Sequence, residues 1–519
     1  MIGKIVTFLN DLVWSKPLVY GLLLTGILFS LRMRFFQVRH FKEMIRLMFQ
    51  GEKSPSGITS FQAIAMSLAG RVGTGNIVGV STAIFIGGPG AVFWMWISAF
   101  LGARSAFIES TLGQIFKRED KGEYRGGPAY YIEYGIGGKF GKIYGLIFAI
   151  VTVISVGLLL PGVQSNAIAS SMHNAFNVPN WIVAIIVVVI LALIIFGGLR
   201  SIANVATAVV PFMAVIYILM AIVIIIINIQ HVPALFALIF KSAFGLQSAF
   251  GGIVGAMIEI GVKRGLYSNE AGQGTGPHAA SAAEVSHPTK QGLVQSFSVY
   301  VDTLFVCTAT ALIILLSGTY NVTDGETNAN GTPHLIKDGG IFVENADGSK
   351  DYSGTAMYAQ AGIDKAFHGS GYHFDPHFSG IGSYFIAIAL FFFAFTTILA
   401  YYYIAETNVA YLTRHQSKRT THIFFIIARL ALLFATFYGS IKTADVAWAL
   451  GDLGVGLMAW LNIIAIWILH KPALEALKDY EQQKAQLGSG YHAVYKPDAK
   501  KIPNAIFWLK TYPERLKNK

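Results

Sequence analysis

Apolar residues dominate eleven stretches of the chain, each close to the roughly 20 residues that a helix needs to cross a hydrocarbon layer. They fall near 17–31, 61–86, 91–115, 143–169, 181–198, 203–229, 248–262, 292–318, 380–411, 423–440 and 446–470. The pattern predicts an all-α polytopic membrane protein of about eleven transmembrane helices. The stretch Ile5–Trp14 ahead of the first is short and carries Asn10 and Asp11, so it is expected to lie along the membrane interface.

The stretch at 61–86 holds polar and glycine residues where a spanning helix hides its backbone. Leu68-Ala69-Gly70-Arg71-Val72-Gly73-Thr74-Gly75-Asn76-Ile77-Val78-Gly79 combines four glycines with a Thr, an Asn and an Arg. Broken backbone at this depth is tolerated only where it is buried in protein or lines a cavity. The segment therefore predicts a discontinuous helix whose freed amides and carbonyls bind something small and polar. Gly75-Asn76-Ile77-Val78-Gly79 also fits a G-x-x-x-G packing face, but that reading leaves Arg71, Thr74 and Asn76 unexplained. No strand precedes these glycines, which excludes a dinucleotide loop.

A second glycine-rich stretch, Ala249-Phe250-Gly251-Gly252-Ile253-Val254-Gly255-Ala256-Met257, opens the seventh span and is followed by Glu259. Spans two to six and seven to eleven then form two sets of five, each opening on an interrupted helix. An odd number per set inverts the second relative to the first, the inverted repeat of secondary transporters, with the site at the paired interruptions. The chain divides accordingly into 1–58 (interfacial segment, first span, basic loop), 59–230, 231–470 and a basic tail, 471–519.

Composition agrees: of 519 residues, 54% are hydrophobic and 13% charged, at a mean hydropathy of +0.54, against about a quarter charged in soluble domains. The net charge of +11 is concentrated in loops after odd-numbered spans (Arg32, Arg34, Arg39, Lys42 and Arg46; Lys117, Arg118, Lys121 and Arg125; Lys263, Arg264 and Lys290; Arg414, Lys418 and Arg419) and in the tail. This is membrane topology, not a nucleic-acid surface. It places the N-terminus outside and the C-terminus in the cytoplasm. The acidic connection 319–378 then falls outside, as a folded cap or an extended loop, and the tail is expected to be solvated and lipid-facing. The one cysteine, Cys307, excludes a disulfide framework.

Several longer motifs carry a resemblance. Gly87-Gly88-Pro89-Gly90-Ala91-Val92-Phe93-Trp94-Met95-Trp96-Ile97-Ser98-Ala99-Phe100-Leu101-Gly102 resembles the signature of the sodium:alanine (alanine or glycine:cation) symporter family. So do Gly73-Thr74-Gly75-Asn76, Gly265-Leu266-Tyr267-Ser268-Asn269-Glu270-Ala271-Gly272-Gln273-Gly274-Thr275 and Phe393-Ala394-Phe395-Thr396-Thr397-Ile398-Leu399. The resemblance implies a leucine-transporter-type fold in a bacterial or archaeal plasma membrane. It also implies Na+-coupled uptake of a small neutral amino acid, with no cofactor besides the coupling ion. It assigns substrate contacts to Thr74, Gly75, Asn76, Gln164, Phe250, Gly251, Thr397 and Tyr401. By analogy with that fold, it assigns Na+ to the carbonyls of Ala69 and Val72 with the Thr396 hydroxyl. The chain has Ala400-Tyr401 where the family commonly has Gly-Trp, which alters a pocket wall, and 319–378 is long for the family.

Arg71, Glu109, Glu259, Asp302 and Glu406 are ionisable groups within apolar sequence, where charge is costly and usually functional. Arg71 is expected to pair with Glu259 or Glu270, as a gate or as a static support of the broken helices. Asp302 serves cation coupling or a structural partner. Ser268-Asn269-Glu270 reads as a polar helix start. His368, His373 and His377 do not have compact zinc spacing. A proton-coupled carrier is the nearest alternative. A channel would need a polar stripe through several spans, and a membrane enzyme a nucleophile–base set, a metal cluster or a phosphate loop.

Overall fold

A computed structural model describes residues 2–50, 56–328, 332–344, 350–352, 356–369, 380–442, 444–487 and 493–517. His373, His377 and the end of the connection 319–378 lie outside the described residues.

Helices α1 (Ile2–Val13) and α2 (Lys16–Arg32) follow one another, and Ile5–Arg32 together is long and apolar enough to cross a membrane. The stretch Ile5–Trp14, expected along the membrane interface, is helical through Val13, and α1 packs on the last long helix. Asn10 Nδ2 donates to Ala449 O (2.6 Å), and the Trp14 and Trp460 indoles donate to Asp452 O and Val13 O. Two short helices, α3 (Phe36–Arg39) and α4 (Phe41–Met48), form an elbow before the first broken span. That span is α5 (Ser60–Arg71), a 3-10 turn over Thr74–Asn76, and α6 (Val78–Gly87), bent by 62°. A capping box starts α5: Gln62 N donates to the Thr59 hydroxyl, and Thr59 N to Gln62 Oε1.

The chain continues through α7 (Gly90–Ile115), a hairpin of β1 (Arg118–Asp120) and β2 (Glu123–Arg125), α8 (Pro128–Ile136) and α9 (Gly138–Ile154). A π-turn, Ser155–Leu159, joins α9 to α10 (Leu160–Phe176). Then come α11 (Asn180–Ile195), α12 (Gly198–Ile227), α13 (Val232–Ala243), α14 (Val254–Asn269) and α15 (Gly276–Ala282). Next, α16 (Pro288–Tyr300) passes through a second π-turn, Val301–Cys307, into α17 (Thr308–Ser317). The connection 319–378 is a folded cap in its described parts, with hairpins β3 (Val322–Thr327) with β4 (Pro333–Lys337) and β5 (Val343–Glu344) with β6 (Lys350–Asp351). Its helix α18 (Met357–His368) packs on α17 and α19 (Ile381–Leu412). Helices α20 (Lys418–Ile441) and α21 (Ala444–Leu487) complete the bundle.

Every predicted span falls on helix. Among the described residues eight helices are long and apolar enough to cross a membrane, and the bent pair α5–α6 makes nine. The remaining two predicted stretches fall on the shorter α11 and α14, of 16 residues each. Leu193, Phe212 and Leu430 stand exposed on the bundle exterior, a surface suited to lipid and not to water.

The second interruption is not where the glycine run predicts it. Ser248–Ile253 is a 3-10 turn leading into α14, and no atom stands close enough to Gly252 or Gly255 to require glycine there. The break lies at 270–275. Glu270 ends α14 at φ 55°, and Gly272 and Gly274 turn at φ +93° and +90°. Left-handed backbone of this kind is what favours glycine at the last two positions.

The tail is also corrected. Its lysines (Lys496, Lys500, Lys501, Lys510) point outward, but Phe507 and Trp508 are buried. Trp508 Nε1 donates to Gln114 O at 2.8 Å, Tyr495 N to Ser286 O and Asn504 Nδ2 to Tyr134 O. Lys117 lies 4.3 Å above the rings of both Tyr124 and Phe507 while donating to Ala283 O, so the tail closes over the end of α15. Sequence periodicity does not reveal this because the anchoring aromatic residues sit on irregular chain at Tyr495 and on a short π-turn, Phe507–Thr511. In the same corner His287 Nδ1 accepts from Thr289 N, leaving Nε2 as the donor to Asp479 Oδ2 at 3.0 Å. Burial holds this imidazole below its ordinary value of 6.5, against the pull of Asp479. A depressed imidazole contributes stability at neutral pH that is lost as pH falls below that value.

Trp508→Ala is expected to weaken tail docking by about 3 kcal/mol, read as faster tryptic cleavage at Lys500, Lys501 and Lys510. An unchanged digestion rate would show that this side chain does not anchor the tail.

Candidate functional site

The first break exposes backbone groups that the rest of the bundle then satisfies. Gly73 N donates to Asn76 Oδ1 at 2.8 Å, and Thr74 N donates to Gln164 Oε1 at 3.1 Å. Thr397 Oγ1 lies within hydrogen-bonding distance of three carbonyls: Ala69 O (2.9 Å), Val72 O (3.3 Å) and Phe393 O on its own helix (2.9 Å). These contacts require glycine at 73, because a Cβ there would collide with Thr397 Oγ1 and Gln164 Oε1. The π-turn Ser155–Leu159 precedes the turn of α10 that carries Gln164, a local distortion of the kind found at functional sites. Arg71 through Ser81 are all buried, with Thr74 and Asn76 fully so.

On the other side of the break stands Asp302, wholly buried on the second π-turn. Its carboxylate accepts from Asn76 Nδ2 (2.7 Å), from the Ser268 hydroxyl (2.9 and 3.1 Å) and from the Thr303 hydroxyl (2.7 Å). All of these donors are neutral. Asn76 therefore bridges: its oxygen holds the freed Gly73 amide, and its nitrogen holds the Asp302 carboxylate. The Tyr267 phenol and the Thr74 hydroxyl face each other nearby, and both residues are buried.

The predicted site residues divide into those brought together and those placed elsewhere. Thr74, Gly75, Asn76, Gln164 and Thr397 converge with Ala69 and Val72. Gly75 abuts Ser268 on α14. Thr396 does not reach the Ala69 and Val72 carbonyls. Its hydroxyl bonds Phe392 O and Phe393 O of its own helix, and the adjacent Thr397 occupies the expected place. A helix turns about 100° per residue, so the inward face can belong to only one of the two threonines. Phe250 is buried against Gly88, beyond the far end of α6, and Gly251 is exposed; neither touches the first break. Tyr401 lies beside the Glu270 carboxylate at the second break.

The expected pairing of Arg71 with Glu259 or Glu270 is corrected. Arg71 NH1 donates to Gln295 O and to the Ser298 hydroxyl, both on α16. The carboxylates of Glu270, Glu109 and Asp302 surround it electrostatically, yet none forms an ion pair with it among the described residues. Glu270 Oε2 instead accepts from the Thr275 hydroxyl at 2.7 Å, and Glu109 accepts from Asn462 Nδ2 at 2.6 Å. Glu259 lines a surface groove with Lys16 and Lys263, more than two helical turns before the second break.

A different ion pair ties the second broken helix to α21. Arg264 holds Asp452 through two parallel bonds, NH1 to Oδ1 (3.0 Å) and NH2 to Oδ2 (2.9 Å), and Lys263 adds a contact of 2.7 Å. Arg264 packs beside Gly79 and over Tyr267 and Trp448, so this cluster covers the α6 side of the first break. Sequence reasoning passed over Asp452 and counted Lys263 and Arg264 only as loop charge. The signal was an acid inside an apolar stretch, Leu450-Gly451-Asp452-Leu453.

The Sodium:alanine symporter family profile matches residues 1–338 and 356–493. The chain belongs to the sodium:alanine symporter family. The YrbD protein of Bacillus subtilis (strain 168) is 54% identical to it over 507 residues, 98% of each chain. The sodium/proton-dependent alanine carrier protein of Bacillus sp. (strain PS3) is 49% identical, over 90% of this chain and 98% of its own. The sodium/alanine symporter AgcS of Methanococcus maripaludis is 33% identical, over 92% and 97%. As a family member the chain is a multi-pass membrane transporter and not an enzyme.

In this symporter-family chain Asp452→Asn leaves the buried Arg264 and the half-buried Lys263 without their counter-charge. The substitution is expected to cost about 3 kcal/mol, read as a lower melting midpoint in detergent. Arg264→Lys keeps the charge but not the two parallel bonds and is expected to cost less. Equal losses would show that the bidentate geometry is immaterial.

Proposed function

We propose that this transporter couples Na+ entry to the uptake of a small neutral amino acid, alanine or glycine, by alternating access. One observation carries the reading: freed backbone groups at the first break meet Thr74, Asn76, Gln164 and Thr397 in one buried space. The amino acid's carboxylate would accept from the Thr74 and Tyr267 hydroxyls and from freed amides, and its ammonium group would donate to Gln164 Oε1. Na+ would take the Ala69 and Val72 carbonyls with Thr397 Oγ1, three oxygens that already converge. Phe250 and Gly251 would join only through movement of the turn before α14. The names of the relatives from Bacillus sp. and Methanococcus maripaludis support alanine, the first with sodium or protons as the driving ion and the second with sodium.

In this reading residues 59–230 and 231–470 form the two inverted halves, with the N-terminus outside and the C-terminus in the cytoplasm of a bacterial or archaeal cell. Arg264 with Asp452 closes the outer side of the site, and the Arg71 surroundings close the inner side. A proton-coupled mechanism has one specific observation in its favour: Asp302 is a buried carboxylate held by neutral donors alone, able to take H+ or Na+.

Labelled alanine uptake into proteoliposomes, under a sodium gradient and then a proton gradient alone, tests the reading, with glycine and glutamine as competitors. Sodium-driven accumulation abolished by Asn76→Ala is expected. Equal drive by protons would move coupling to the alternative, and no accumulation by folded protein would overturn the proposal. Thr397→Val is expected to raise the sodium concentration for half-maximal uptake about tenfold, the loss of one good ligand contact. Thr396→Val should leave it unchanged, and the reverse order would return the ion to Thr396.

A further inference from the structure

A groove of about 590 Å³ runs along the outer surface of the bundle, away from the first break. Its floor is apolar: Phe100 of α7, with Leu304 and the exposed Phe305 of the second π-turn. Its head is polar, formed by the α3–α4 elbow that directly follows the span α2. There Gln37 is 2% exposed, and neither its amide oxygen nor its amide nitrogen has a hydrogen-bond partner among the described residues. Tyr300 is 4% exposed and its hydroxyl likewise lacks a partner. Buried polar side chains are nearly always hydrogen-bonded, so two without partners at one groove mark a missing ligand.

Charge identifies that ligand. Lys42 lines the head with its side chain exposed and no ion pair among the described residues. Arg39 stands beside it but is engaged by Glu481 at 3.0 Å. Behind Tyr300 and Phe100 the guanidinium of Arg104 is buried; only its NH1 is hydrogen-bonded, to Gly26 O and Leu101 O. The groove thus presents cations and unfilled hydrogen-bonding groups at the membrane surface and an apolar channel running inward along α7 and the π-turn. A soluble metabolite would leave the channel unfilled, and a hydrocarbon alone would leave Gln37 and Tyr300 unsatisfied. Basic pockets between spans beside the headgroup layer are a recurring means of holding acidic lipids.

We propose that this groove is a binding site for one anionic phospholipid, with its phosphate at Lys42 and Gln37 and an acyl chain on Phe100, Leu304 and Phe305. The π-turn that forms the groove wall presents Asp302 on its other face, so the lipid braces the segment that carries this carboxylate.

The test uses the full-length protein in detergent, with phosphatidylglycerol and phosphatidylcholine of identical chains, followed by native mass spectrometry and melting. One tightly retained phosphatidylglycerol, preferred over phosphatidylcholine by about fivefold per available cation, is expected. Lys42→Glu alters an exposed side chain and is expected to remove the preference. Gln37→Leu is expected to weaken retention, and Leu304→Trp, which fills the channel, to expel the lipid without lowering the midpoint of the lipid-free protein. Equal retention of the two lipids would overturn the proposal, as would a preference that survives both Lys42→Glu and Gln37→Leu. Stabilisation by inorganic phosphate alone, equal to that by the lipid, would make the head a simple anion site and overturn it too.

Discussion

A hydrocarbon layer offers no partner for a freed amide or carbonyl, so a helix broken at that depth must find its partners inside the protein. The structure is arranged around this constraint. The amides of Gly73 and Thr74 go to Asn76 and Gln164, while the carbonyls of Ala69 and Val72 meet Thr397. Those three side chains come from the break itself, from α10 after a π-turn, and from the middle of α19. Removing any one leaves a backbone group with no solvent to turn to, a larger loss than an ordinary hydrogen bond. The small residues around the break follow from the same demand, since Gly73 and Gly75 let other helices come within contact of the unwound chain.

The second break obeys the constraint differently. Left-handed turns at Glu270, Gly272 and Gly274 fold the chain back on itself, and carboxylates serve as acceptors. Glu109 receives Asn462 and, weakly, the Gly272 amide, while Asn462 also donates to Gly272 O. Ala271 N bonds to the Asn269 side chain. Glu109 and Asn462 come from α7 and α21, while α19 serves both breaks through Thr397 and Tyr401, and the two meet where Gly70 faces Glu270, Gly276 faces Arg71 and Ser268 touches Gly75.

This arrangement explains what was legible in the sequence. The spans were, because apolar length alone decides them, and so was the first break, because Arg71, Thr74 and Asn76 interrupt an otherwise apolar run. The second break was misplaced by about twenty residues: glycine density at 249–257 outweighed the paired glycines at 272 and 274, whose role depends on backbone sign and not on frequency. Thr396 is assigned to the ion and Thr397 to the substrate by sequence, and only the helix phase shows that the Thr397 hydroxyl is the one that meets the Ala69 and Val72 carbonyls. Arg71 was expected to find an acid, yet it lies against Gln295 O and Ser298, contacts between segments more than 200 residues apart. The docking of Trp508 was invisible for the same reason: its partner is a carbonyl at Gln114.

The charges on the two sides of the first break are not equivalent, and this bears on how such a site opens. Asp452 is fully engaged by two cations in fixed geometry, and pulling them apart costs desolvated charge on both partners. Arg71 is held by a carbonyl and a hydroxyl, with carboxylates near enough to attract it but none bonded to it. A guanidinium bound only by neutral oxygens can exchange them for a carboxylate with a gain in attraction, so the Arg71 side has a lower barrier to rearrangement than the Arg264 side. Asn76 lies between the two and is tied to both the break and Asp302. Asn76 Nδ2 takes one position on Asp302 Oδ1, so an occupant that displaced it there would loosen the one side chain that also secures the Gly73 amide. The Asp302 carboxylate and the broken backbone are linked through that single side-chain amide.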